Sequence, residues 1–190
     1  MDFKQMTATV SKLITSPAIA WKAISHSESR AAMFNAYLYP LIMLCCLSAF
    51  LGNLMNCEFG FDSFYNAMVK TGVLFATLFL TYHLTAYLVA KISAMLMHAE
   101  YDRKQTDLLA GYSMVVVLLL DLCLGVFPDF RIIGWILQFY TVKIVWDGAA
   151  VLMRIPEDRR LSFTMLVSLT VIVAPIAIGT IMSKLSANFG

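Results

Sequence analysis

The sequence predicts an all-α fold, a polytopic membrane bundle of five transmembrane helices with a short amphipathic N-terminal segment. Three observations carry this. Of 190 residues, 60% are hydrophobic and 14% charged, where soluble domains average about 25% charged and 45–50% apolar. Mean hydropathy is +0.76. The apolar residues also gather in blocks of about 20, the helix length that crosses a hydrocarbon core of ~30 Å.

Residues 1–32 form the N-terminal segment. Phe3, Met6, Val10, Leu13 and Ile14 recur at helical spacing with Lys4 and Lys12 among the polar positions, the pattern of an amphipathic helix. Ser16-Pro17 reads as an N-cap followed by a first-turn proline, opening a second short helix through Trp21 and Ile24. Such a piece either lies flat in the membrane interface or packs on the cytoplasmic end of the bundle. No small-residue cleavage site precedes the first apolar run, so a removable signal peptide is not expected.

The membrane domain, 33–190, divides into spans at about 33–55, 69–97, 108–127, 131–153 and 161–183. Pro40 falls near the start of the first. Polar loops are expected at 56–66 and 98–107, and a tight turn at Phe127-Pro128-Asp129-Phe130. Pro175 interrupts the fifth span. Gly179 and Ser183 continue a ladder at i, i+4 and i+8 that suits close helix contact. Cys45, Cys46, Cys57 and Cys123 contain no CxxC pair and read as small packing residues.

Lysines and arginines set the orientation. With the N-terminus cytoplasmic, the inner segments carry ten (Lys4, Lys12, Lys22, Arg30, Lys91, Arg103, Lys104, Arg154, Arg159, Arg160) and the outer ones three (Lys70, Arg131, Lys184). This is a clear positive-inside bias. Five spans then place the C-terminus outside the cell's inner (plasma) membrane.

Asp121, Lys143 and Asp147 lie where lipid is expected, at a cost of roughly 2.5–3.5 kcal/mol each on insertion scales. At 1.5 Å per residue Asp121 sits ~20 Å from the inner edge, with Lys143 ~18 Å and Asp147 ~24 Å below the outer one. The lysine is bracketed in depth by two acids, so a buried Asp121–Lys143–Asp147 cluster is expected. It either fixes helix register or serves as a gate, proton-linked site or headgroup groove. His83, between Thr81 and Thr85 in the second span, is a possible polar neighbour. No HExxH, GxSxG or P-loop occurs, which argues against an enzyme, a bound metal or a cofactor. A net charge of +2 without a basic run argues against nucleic acid as a partner.

Several short elements resemble the Yip family of small polytopic membrane proteins, in its prokaryotic branch. Ser16-Pro17 with Trp21 and Ile24 resembles its pre-membrane helix, and Gly111-Tyr112-Ser113 its Gly-Tyr-Ser element. Gly148, Val151, Leu152 and Pro156 look like the end of its fourth span, and Phe163-Thr164 the opening of its fifth. The resemblance implies five spans and a cytoplasmic N-terminus. Eukaryotic members are associated with Rab-type GTPases through a longer N-terminal region with an Asp-Leu-Tyr-Gly-Pro element. This sequence has neither, so that partner is not implied. From the residues alone, Gly111 and Ser113 suit close helix packing and Tyr112 an interfacial position. The expected function is a non-enzymatic, membrane-organising or partner-binding bundle, with lipids, other membrane proteins or a second copy as partners. The alternative is a small solute, proton-linked or lipid transporter that uses the buried charges.

Overall fold

The computed structural model describes residues 3–27, 29–55, 60–97 and 102–189, and every regular element among them is helical. Cys57 and the residues 98–101 of the second polar loop lie outside the described residues. Among the described residues, four helical runs are long and apolar enough to cross a membrane: Arg30–Met55, Phe61–Leu96, Arg103–Val126 and Glu157–Ser186.

The first run is α3 (Arg30–Met33), a π-helical turn (Phe34–Leu38) and α4 (Tyr39–Met55). Ser29 caps it, accepting from the Ala32 amide at 3.1 Å. Pro40 explains the π turn. A proline lacks the amide for the carbonyl four residues back, and its ring collides with that carbonyl. Widening the preceding turn, so that Tyr39 N–H donates to Phe34 O, relieves the collision without ending the helix.

Helix α5 (Phe61–Met97) begins well before residue 69, inside the loop expected from its Asn, Asp and Phe content. Asp62 in its first turn complements the helix dipole. The third run also starts early. Asp102 caps α6 (Arg103–Ser113) by accepting from the Lys104 amide at 3.1 Å, which turns residues 103–107 of the expected polar loop into helix. Helix α7 (Val115–Val126) continues it past Met114.

The expected span 131–153 is not one uninterrupted helix. It consists of α8 (Arg131–Gln138) and α9 (Tyr140–Val151), separated at Phe139. There Phe139 N–H donates to Ile136 O and Val142 N–H to Phe139 O, the tightened i→i+3 pattern of a 3₁₀ turn. Ile132, Trp135, Ile136, Leu137 and Phe139 are all exposed, so α8 carries an apolar surface away from the core. Helix α9 ends with Ile155 N–H on Ala149 O at 3.0 Å and Arg154 at φ 51°. That is a Schellman-type stop with arginine in the left-handed position where glycine is usual. After Pro156, α10 (Glu157–Phe189) runs unbroken through Pro175.

The N-terminal segment packs on the bundle itself. Helices α1 (Phe3–Thr15) and α2 (Pro17–Ser27) bury Met6, Leu13, Ala20, Trp21 and Ile24 and leave Lys4, Gln5 and Lys12 exposed. Trp21 Nε1–H donates to Ile144 O at 2.9 Å, and Tyr140 Oη–H to Ile14 O at 2.7 Å. Helix α2 therefore runs alongside α9. Ile14 lies with Val116, Leu120 and Leu137 around an apolar cavity of about 350 Å³ beside the Phe139 break.

Two contacts set the remaining helices. Along α4, Cys45 Sγ donates to Leu118 O and Ser48 Oγ to Leu122 O, and a Cβ on Gly52 would stand 1.6 Å from Gly125 O. Helices α4 and α7 thus touch backbone to backbone. Helix α10 lies along α5, where a Cβ on Gly179 would meet Thr77 Cγ2 at 3.6 Å, an ordinary contact. Gly52→Val should lower stability by about 3 kcal/mol, the upper range for forced overpacking, because only backbone stands in the way. Gly179→Ala should be neutral within about 0.5 kcal/mol. Thermal unfolding of both variants in detergent checks the contrast.

Candidate functional site

The structure divides the expected charge cluster. Lys143 Nζ lies 2.9 Å from both oxygens of Asp147. The Asp147 side chain is 11% exposed and that of Lys143 56%, so the pair sits at the edge of the bundle, where net stabilisation is small. Asp121 belongs elsewhere. It lines a cavity of about 320 Å³ with Lys70, Thr77, Gln138 and Gly179, between α5, α7, the end of α8 and α10. It makes no ion pair within 4 Å among the described residues.

The correction has a simple cause. Depth arithmetic fixes a residue's height but not the direction it faces. The residue of the returning segment that shares the Asp121 cavity is Gln138. Lys143, five residues on, is turned about 140° around the axis at 3.6 residues per turn, and the break at Phe139 intervenes.

His83 is exposed on α5. Its Nδ1 lies 2.9 Å from Phe79 O, and its ring packs against Phe79 and Tyr82, with centroids 4.4 and 5.1 Å away. It shares a pocket with Arg30, Arg103, Thr106 and Asp107, not with Asp121 or Lys143. Arg30 Nε lies 2.9 Å from Asp107.

The Gly111-Tyr112-Ser113 element is core. A Cβ on Gly111 would stand 2.4 Å from Met33 Sδ, so the glycine makes room for that thioether. Tyr112 is 1% exposed rather than interfacial, with its ring 4.5 Å from Tyr37 and edge-on to Trp21 at 6.0 Å. Ser113 is buried, and its hydroxyl has no hydrogen-bond partner among the described residues.

Gly148 receives the indole of Trp21. A Cβ there would lie 2.8 Å from Trp21 Cε2 and 2.6 Å from Leu109 Cδ1. Trp21, Tyr112 and Gly148 therefore form one packed seam joining α2, α6 and α9, while Gly111 faces Met33 and Tyr82.

The sequence profile of the Yip1 domain matches residues 11–179, from within α1 to within α10. The chain belongs to the Yip1-domain family. The matched region of this Yip1-domain protein holds the whole seam, the Lys143–Asp147 pair and the Asp121 cavity. Comparison with curated proteins and with solved structures returned no match. A multi-pass membrane protein is the coarse identity that the family and the apolar helices give together.

The division of charges has a measurable consequence in the Yip1 domain. Unfolding losses of Asp121→Asn and Lys143→Met should add within about 0.5 kcal/mol in the double variant, as for separated sites. Lys143→Met and Asp147→Asn should depart from additivity, because those side chains touch. Thermal unfolding of the singles and doubles in detergent is the check.

Proposed function

We propose that this protein is a non-enzymatic, membrane-organising member of the prokaryotic Yip branch, acting by holding lipids, other membrane proteins or a second copy against its helices. The separation of the charges carries this reading. Lys143 is satisfied by its neighbour on α9, Asp121 faces a different cavity, and α7, which carries Asp121, is held against α4 by a backbone-close contact. A connected polar path would suit transport better. The exposed face of α8 (Ile132, Trp135, Ile136, Leu137) is an apolar surface suited to a partner helix.

Five crossings with a cytoplasmic N-terminus form part of the proposal. Arg159 Nη1 donates to Leu96 O and Arg30 pairs with Asp107. The start of α3, the end of α5, the start of α6 and the link into α10 therefore belong to one end, which is rich in arginine. Asn53 Oδ1 accepts from Lys70 Nζ at 3.3 Å at the opposite end. On this reading α8 and α9 together make a fourth crossing in spite of their break. The C-terminus then lies outside the inner membrane.

The Asp121 cavity keeps a second reading open, a small solute, proton-linked or lipid transporter. It now rests on Asp121 with Lys70 and Gln138 rather than on Lys143. Two measurements decide. A C-terminal alkaline phosphatase fusion should be active and a fluorescent-protein fusion dark; the reverse would leave four crossings and remove the one assigned to α8 and α9. Purification from native membranes in mild detergent should yield a stoichiometric partner protein or a second copy. A lone chain whose solute uptake is abolished by Asp121→Asn would replace organisation with transport.

A further inference from the structure

The pocket around His83 is unlike the Asp121 cavity in its charge and its setting. It measures about 140 Å³ and is lined by Arg30, Tyr82, Ala86, Ala90, Arg103 and Asp107 beside His83, at the arginine-rich end of the bundle. The space exists because α5 presents Ala86 and Ala90, i and i+4 on one face, where longer side chains would fill it.

Its charge is surplus cation. Arg30 is balanced by Asp107, its Nε 2.9 Å from the carboxylate, and its guanidinium offers five N–H donors in all. Asp102 is occupied in capping α6. Arg103 has no ion-pair partner among the described residues. At the rim, Lys91 Nζ lies 5.7 Å from the centroid of the Tyr87 ring. Inside, the Tyr82 hydroxyl lies beside Arg30; Tyr82 is 1% exposed, and its hydroxyl has no hydrogen-bond partner of good geometry among the described residues.

The pocket opens along the outer surface of α5, where His83 and Tyr87 are exposed and lead to exposed Leu84 and Leu80. An arginine fork and the hydroxyl beside it suit a phosphodiester oxygen. An apolar stripe running from the same mouth suits acyl chains, and basic pockets between helices on the cytoplasmic side are headgroup sites on general grounds.

We propose that this pocket binds the phosphate of an anionic phospholipid between Arg30 and Arg103, with the chains lying along Leu80, Leu84 and Tyr87. Placing that lipid in the inner leaflet rests on the proposed orientation; the binding itself does not.

The test uses the full chain in a nonionic detergent, with phosphatidylglycerol, phosphatidylcholine or sodium phosphate added. Thermal unfolding and native mass spectrometry are read together. Phosphatidylglycerol should raise Tm and give a one-to-one adduct, and phosphatidylcholine should do neither. Arg103→Gln removes a charge and Ala90→Leu fills the space; each should weaken phosphatidylglycerol binding about tenfold with the unliganded Tm kept. The two act by different routes, so a misfolded variant leaves the other to decide. Lys12→Gln, on the exposed face of α1, should bind as the parent does. Equal binding of the two lipids, or unchanged binding by a folded pocket variant, would overturn the proposal. Equal protection by millimolar phosphate would also overturn it, in favour of a soluble anion.

Discussion

Where Gly52 of α4 meets Gly125 of α7, the carbonyl of one strand of backbone occupies the place of the other's missing side chain. Within lipid there is little hydrophobic gain in bringing helices together, so close packing and hydrogen bonds between helices must do it. This chain uses both at once along α4. Cys45 and Ser48 donate to carbonyls of α7 on the same face that presents Gly52. With that pair fixed, the direction in which α7 presents Asp121 is fixed as well, toward α5 and α10. The same device recurs where Trp21 lies over Gly148 and donates to Ile144 O. Removing a side chain, in this bundle, is how a helix gains a neighbour.

Much of this was legible in the sequence, and the unread part has physical causes. The apolar blocks identified the helices because a bilayer imposes their length. Their ends were displaced where polar residues favoured a helix start: Asp102 caps α6 and extends it into what its charges suggested was loop, and Asp62 sits in the first turn of α5, where it complements the dipole. The Lys143–Asp147 pair was readable because i, i+4 contacts are local. Asp121 was misassigned because its partners depend on how helices are rotated against one another, and rise per residue carries no such information. The 3₁₀ turn at Phe139 had no proline or glycine to announce it.

Cys45 reads as a small packing residue and Ser48 and Gly52 went without a reading, yet the three stand at i, i+3 and i+7. That spacing was a usable signal, and it marks the tighter contact; the ladder noticed on α10 marks a looser one. Tyr112 was misplaced for a related reason. Tyrosine near a span's entrance usually sits among headgroups, but α6 starts early enough to carry this one a turn deeper, between Tyr37 and Trp21.

The seat of Trp21 on α9 also bears on how the chain is made. The indole and its acceptor carbonyl are 123 residues apart. At roughly 5–20 residues per second, synthesis brings the acceptor out about 6–25 s after the tryptophan. During that interval α1 and α2 have an apolar face and no groove to receive it. Helices α1 and α2 are therefore translated well before their seat exists, and the growing chain needs a temporary host for them, for which the membrane surface is the nearest apolar boundary.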